Sequence, residues 1–267
     1  MEPLLSIQDL SVDFISEDQT TQALKNISFS VNKGEIVALV GESGSGKSVT
    51  SLSVLQLIPS PPAHYRSGAI YFSEDGKNRI NLLDRQINLR SIRGNKIAMI
   101  FQEPMTSLNP VITCGQQIME ALQSHRSLNK QEARAKTLEW LKKVQLPHQE
   151  LLIDRYPHQL SGGQKQRISI ASALAKDPAI VIFDDCLSAV DAKTEKEIIG
   201  NLNEYLKHKT SIIITHRIFS LLQFDKIIVL EDGEIAEQGT HAELLQRKGY
   251  YAALYERQQK TELAGEE

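Results

Sequence analysis

Two short stretches carry the residue types that handle phosphate. The first is GESGSGKS, residues 41–48. Its three glycines, Gly41, Gly44 and Gly46, let successive backbone N–H groups turn to one side and form a nest for an anion. Glu42, Ser43 and Ser45 fill variable positions, and Val49 follows the stretch. Lys47 is placed to reach β- and γ-phosphates, and the Ser48 hydroxyl to ligate Mg²⁺. The second stretch is IVIFDD, an apolar run that ends on two adjacent carboxylates, Asp184 and Asp185. An acid at the end of a strand holds Mg²⁺ through water when it lies beside bound phosphate, which is the part assigned to Asp184. The second acid poses a sharper question. Asp185 is either a working base for an attacking water or a weakened substitute for one.

Both stretches need elements that position them. EIVALV, residues 35–40, reads as a strand buried on both faces and leads straight into the glycine loop. A helical run follows Gly46 and is expected to stop at Pro59, because PSPP cannot continue a helix. Upstream, SIQDLSVDF and LKNISFSV alternate apolar and polar residues and read as strands, as do GAIYF and KIAMIF downstream. From Glu103 to Leu160 the pattern turns helical. Asn129 followed by Glu132 resembles a capping box, and Ala133, Thr137, Leu141 and Val144 fall at helical spacing before Pro147. A further helix after Gly163 carries Ile168, Ala171, Ser172 and Ala175 on one face. AIVIF and SIIIT are short buried strands, and KIIVLEDGEIAEQG is a hairpin turning at Asp232–Gly233. The last helical stretch ends in KTELAGEE, expected to fray. Strands alternating with helices give an α/β class with a largely parallel sheet.

Bulk properties narrow the role. With 267 residues, 41% hydrophobic and 24% charged, the chain can bury a large core. The net charge of −3 gives no reason to expect a nucleic-acid partner. The two cysteines, Cys114 and Cys186, show no metal spacing and fit a reduced, cytoplasmic setting. No apolar run approaches the roughly 20 residues needed to span a bilayer, and no signal peptide is read at the N-terminus. A membrane role is therefore expected to come through a partner.

LSGGQKQR, residues 160–167, reads by itself as a helix start capped by Ser161 or a glycine. Its place in a series says more. The phosphate loop, Gln102 after a strand, LSGGQ, the IVIFD strand and His216 after SIIIT follow one another in that order. The chain from about Leu5 to Arg257 resembles the nucleotide-binding subunit of an ATP-binding cassette (ABC) transporter. That resemblance implies a P-loop NTPase core, an N-terminal antiparallel β subdomain and an inserted helical subdomain. The implied boundaries are 1–102 for the first part of the core and 103–160 for the helical, permease-docking subdomain. The second part of the core would span 161–240, and C-terminal helices and tail 241–267.

The resemblance also implies site roles. Two cassettes meet head to tail, and each ATP lies between one phosphate loop and the other chain's signature. Ser161, Gly162, Gly163 and Gln164 would then serve the partner's nucleotide. Gln102 would join the metal site to the helical subdomain, and His216 would contact the γ-phosphate. Phe14 would stack on adenine, although a plain core phenylalanine is as good a reading. Asp185 stands where the family carries a glutamate. Aspartate withdraws the carboxylate by about 1.5 Å, one C–C bond, which costs on the order of 100-fold in rate where positioning dominates. ATP binding with weak turnover at the chain's own site is the resulting expectation.

Within the family, the sequence to about Gln164, including AMIFQEPMTSLNP and RYPHQLSGGQ, resembles peptide and nickel importers. FDDCLSAVDAKTEKEI, ITHRI and GTHAELLQRKGYYAALYERQ resemble the ATPase half of exporters. A natural recombinant, an engineered hybrid and a divergent member all fit that division. Three functions follow in order. The first is a subunit driving peptide-type transport with a membrane permease and a second ATP-binding subunit, at the cytoplasmic face of the membrane. The second is a hydrolysis-poor regulatory subunit of an exporter-like pair. The third, a soluble ABC ATPase of DNA repair or ribosomes, ranks last.

Overall fold

The computed structural model describes residues 3–17, 19–101, 108–124, 128–186, 200, 205–207, 209–215 and 224–265. Gln102 and His216 lie outside them. The chain forms two compact units, one of residues 1–89 and 210–267, the other of residues 90–209.

The first unit opens with an antiparallel sheet. Strands β1 (Leu5–Ile15) and β2 (Thr20–Val31) form its first pair. β4 (Ala63–Phe72) adds to the other side of β1, followed by the short β5 (Ile80–Asn81). Alternation drives it, since Leu5, Ile7, Leu10, Val12, Leu24 and Ile70 are buried. The second sheet of this unit is mostly parallel. β3 (Ile36–Val40) lies between β8 (Thr210–Ile214) and β9 (Lys226–Glu231), parallel to both. All five residues of β3 are buried, as expected of a central strand that reads as an unbroken apolar run. β10 (Glu234–Gly239) returns antiparallel to β9 through a turn in which Asp232 and Gly233 both have positive φ, 47° and 82°. That is the geometry a two-residue hairpin demands.

Helix α1 (Lys47–Val54) follows β3. It stops well before Pro59, where the sequence reading placed its end. Gln56 turns left-handed at φ 47°, and the Leu57 amide bonds back to the Leu52 carbonyl. The turn buries Leu55 and Ile58 instead of extending the helix.

In the second unit, β6 (Ile97–Ile100) and β7 (Ile180–Asp184) pair in parallel, Ile97 with Ile180 through Ile100 with Phe183. Among its described residues are helices α2 (Cys114–Gln123), α3 (Lys130–Lys143), α4 (Gln149–Leu152) and α5 (Gly162–Leu174). The capping box of α3 is present, with Glu132 N donating to Asn129 Oδ1 at 2.9 Å and Asn129 N to Glu132 Oε2 at 3.0 Å. Its buried face holds Ala133, Thr137, Trp140 and Leu141, three of them read from the helical period.

Back in the first unit, the chain ends in α6 (His241–Arg247) and α7 (Tyr250–Gly265). α7 continues through Lys260–Ala264, which the sequence reading expected to fray. Lys, Glu, Leu and Ala are good helix formers, and no breaker precedes Gly265.

Gly115 sits where the start of α2 meets Ile153. Its amide donates to Ile153 O at 2.9 Å, and an added Cβ would lie 2.0 Å from Ile153 Cγ1 and 2.5 Å from Ile153 O. Gly115→Ala is expected to cost about 3 kcal/mol through overpacking, read as a lower urea midpoint than wild type. An unchanged midpoint would show that the Ile153 segment yields freely.

Candidate nucleotide site

The phosphate loop is a backbone device held between two walls. Gly41 leaves β3 with φ 151°, Gly44 has φ 83°, and Gly46, the residue before α1, has φ 101°. A Cβ on Gly41 would lie 2.2 Å from Leu230 O, and one on Gly46 would lie 2.7 Å from Leu24 Cδ2 and 2.9 Å from Ala23 O. The loop is therefore wedged between β2 on one side and the β9–β10 hairpin on the other. Gly233 ties the walls together, its amide donating to Ser45 O at 3.2 Å and its carbonyl accepting from Lys25 N at 2.8 Å. A Cβ on Gly44 would meet nothing within 4 Å, and Glu42, Ser43, Gly44 and Ser48 are exposed, so this side of the loop is its mouth.

Lys47 is buried behind that mouth. Its ammonium donates to Gly41 O at 2.9 Å, Glu42 O at 2.6 Å and Ser45 Oγ at 3.4 Å. The loop's own carbonyls thus compensate a charge that would otherwise be costly to bury. The same loop offers an anion a nest of amides, a helix start and a cation. Thr50 and Val49 continue α1, with Thr50 Oγ1 donating back to Gly46 O at 2.9 Å. Phe14 belongs to the same unit. It is half-buried near the end of β1, opposite Thr21 and Ala63, and stands apart from the fully buried Leu10 and Val12.

The signature residues and the two acids lie in the second unit. Ser161 caps α5, its hydroxyl accepting from Gln164 N at 3.3 Å while Gln164 Oε1 accepts from Ser161 N at 3.0 Å. The simple helix-cap reading of this stretch is thus correct as far as it goes. Ser161 and Gly162 are exposed, and a Cβ on Gly162 would meet nothing within 4 Å. Asp184 ends β7 and Asp185 follows it, both buried. Asp185 has φ 43°, in the left-handed region that Asp and Asn tolerate better than most residues.

One residue in this unit escaped the sequence reading. Gln166 is fully buried, and its side-chain amide donates to the Cys186 carbonyl, tying the signature helix to the turn that holds Asp185. The signal was present. Gln166 and Ile170 stand four apart on the buried face of α5, and a glutamine at such a position announces a buried hydrogen bond.

The cysteines take no part in this chemistry. Both are free and buried, and burial holds the Cys114 thiol up at about 11 against the opposing charge of Lys165. Burial raises Cys186 further, with Asp185 adding to the effect. No group of three metal-ligating His, Cys, Asp or Glu occurs among the described residues. Ser48 offers a hydroxyl in the first unit and Asp184 a strand-end carboxylate in the second, each a hard oxygen donor of the kind Mg²⁺ takes.

A buried parallel strand, a glycine loop closing on a lysine and a helix define a P-loop nucleoside-triphosphatase fold. Comparison with known proteins narrows the class. Residues 24–188 match the family model described as ABC transporter. The peptidoglycan transport ATP-binding protein YejF of Agrobacterium fabrum is 46% identical over 242 residues, 90% of this chain and 44% of that protein. The oligopeptide transport ATP-binding protein OppD of Bacillus subtilis is 39% identical over 244 residues, 90% of this chain and 67% of its own length. Among solved structures, a dimeric ATP-binding cassette in a post-hydrolysis state, bound to ADP and Pi, aligns with a TM-score of 0.77 at 29% identity. That alignment covers 88% of this chain and 98% of the other. The chain belongs to the ABC transporter family, as an ATP-binding cassette. It spans less than half the length of the Agrobacterium relative. The likeness to these transport proteins covers 90% of the chain, so it is not confined to the importer-like half.

Lys47→Ala removes the cation behind the mouth of the loop. ATP affinity is expected to fall about 100-fold, the loss of charge-assisted hydrogen bonds, in a fluorescent-nucleotide titration. Equal affinity in mutant and wild type would overturn the assignment of this loop.

Proposed function

We propose that this chain is the nucleotide-binding subunit of a peptide-type ABC transporter, coupling ATP binding and hydrolysis to movement of substrate through a permease. The observation that carries the reading is the wedged glycine loop with Lys47 buried behind it. The transport names of the relatives supply the substrate class. In this reading Gly41–Val49 binds the triphosphate, Lys47 its β- and γ-phosphates, and Phe14 faces the base. Ser48, Gln102 and Asp184 would hold Mg²⁺, and the ion would supply shielding of phosphate charge. Asp185 accepts a proton from the attacking water, and His216 contacts the γ-phosphate. Ser161, Gly162, Gly163 and Gln164 serve the nucleotide of a second cassette. The described residues form no helix long and apolar enough to cross a membrane. We assign the chain to the cytoplasmic face as a peripheral subunit on the strength of the transport role its relatives carry.

A cleft of about 450 Å³ in the second unit supports the permease partnership. It is lined by Ala98, Phe101, Ile112, Glu120, Ser172 and Lys176, from β6, α2, α5 and the segments beside them. Phe101 is 39% exposed and the nearby Val111 78%. A lining that mixes apolar side chains with Glu120 and Lys176 suits a short amphipathic helix from a membrane partner.

Gly162→Arg tests the head-to-tail model cleanly. The site is exposed with room for a side chain, and the Ser161 cap is untouched. Wild type is expected to dimerise in sedimentation experiments with ATP and Mg²⁺ when turnover is blocked, and the variant to stay monomeric while still binding ATP. A variant that dimerises equally well would remove the signature from the interface.

Asp185 sets the rate in this reading. Asp185→Asn keeps both shape and tolerance of the left-handed backbone, so it is expected to bind ATP normally and lose turnover. Asp185→Glu restores reach to the water and is expected to raise steady-state hydrolysis about 10-fold. A fall in activity with glutamate, at unchanged ATP affinity, would show that the buried turn is built for aspartate.

A further inference from the structure

The C-terminal helix reaches back to the phosphate loop. Tyr251 and Leu254 of α7 are buried in a cluster with Val40 and Val229, and Val40 is the residue that leads into the loop. The start of α7 is fixed by Glu237 of β10, whose carboxylate accepts from Tyr250 N at 3.1 Å and Tyr251 N at 3.0 Å. Two turns along, Arg257 Nη1 donates to Glu42 Oε1 at 2.9 Å. Glu42 is the second residue of the loop, and its carbonyl is one of the acceptors that hold Lys47.

The surroundings of that pair are acidic. The β9–β10 turn, which walls the loop through Leu230 O and Gly233 N, also carries Glu231 and Asp232. Tyr250 registers this field. Burial raises its hydroxyl pKa first, the charges of Glu42 and Glu231 add to it, Arg257 opposes them, and Asp232 adds again. A loop shaped for a polyanion therefore carries carboxylates around its rim, and Arg257 supplies the opposing charge. Both partners are more than half exposed, so their direct value to folding is small. Their effect on a polyanion held in the loop is a separate matter, because the carboxylate repels such a ligand.

We propose that Arg257 is a positioning residue of the nucleotide site: from the C-terminal helix it neutralises Glu42 and thereby sets the affinity of the loop for a polyphosphate. The proposal rests on the nucleotide reading above. It makes α7, the last helix of the fold, part of the control of the first motif in the sequence.

The test measures ATP, ADP and AMP affinities of the full chain for wild type, Arg257→Ala, Arg257→Lys, Glu42→Gln and the Arg257→Ala/Glu42→Gln pair. At about 50 mM salt, Arg257→Ala is expected to bind ATP about 5-fold more weakly, ADP less so, and AMP as wild type does. Arg257→Lys restores most of the affinity. At about 500 mM salt the loss shrinks below about 2-fold. In the Glu42→Gln background, adding Arg257→Ala costs much less than it does in the wild type, since the carboxylate it pairs with is gone and only the weaker field of Glu231 and Asp232 remains. Unchanged ATP affinity in Arg257→Ala at low salt overturns the proposal. So does a loss that is the same for all three nucleotides and persists without the Glu42 charge, because that pattern belongs to altered packing of α7. Lys47→Ala separates the two readings. If it binds ATP like wild type, the nucleotide assignment itself has failed, whereas a weakened Lys47→Ala beside an unaffected Arg257→Ala overturns only the role of Arg257.

Discussion

The nucleotide site depends first on the absence of room for a β-carbon at Gly41 and Gly46. One wall is the carbonyl of Leu230 and the other is the β2 backbone at Ala23. Both glycines also hold φ values that other residues resist. The antiparallel sheet, the central parallel strands and the returning β9–β10 hairpin are all needed to set these walls. The loop is thus less a flexible turn than a rigid frame, and Lys47 completes it from behind with three bonds to the frame itself.

That frame explains what was legible in sequence. The loop could be read because its residue types have few other uses in that order between an apolar strand and a helix. The strands β1, β3, β7 and β9 could be read because burial on one or both faces prints its period on the residues. The end of α1 could not. PSPP forbids a helix beyond it, but the earlier stop at Val54 comes from the need to bury Leu55 and Ile58, which is a tertiary demand. The Arg257–Glu42 pair was illegible for a similar reason. Its partners stand 215 residues apart, and nothing local to either one announces the other.

In the second unit, the signature helix and the acid turn are not independent parts. Gln166, two residues past the signature, holds the carbonyl of Cys186 from inside the core. Any shift of α5 must therefore carry the Asp185 turn or break a buried bond. The left-handed backbone at Asp185 adds a second condition, since it favours a short acid. Length of side chain and comfort of backbone pull in opposite directions at this position, and the sequence alone displays only the first.

The two cysteines have a practical consequence. Both are enclosed in the core, and both thiols are held protonated far above neutral pH, so neither competes for alkylating reagents in the native protein. A single cysteine introduced on the exposed rim of the loop or at the start of α5 can carry a spin label or fluorophore in the otherwise unaltered chain. Separations across the proposed pair of cassettes then become measurable by resonance energy transfer without first building a thiol-free background.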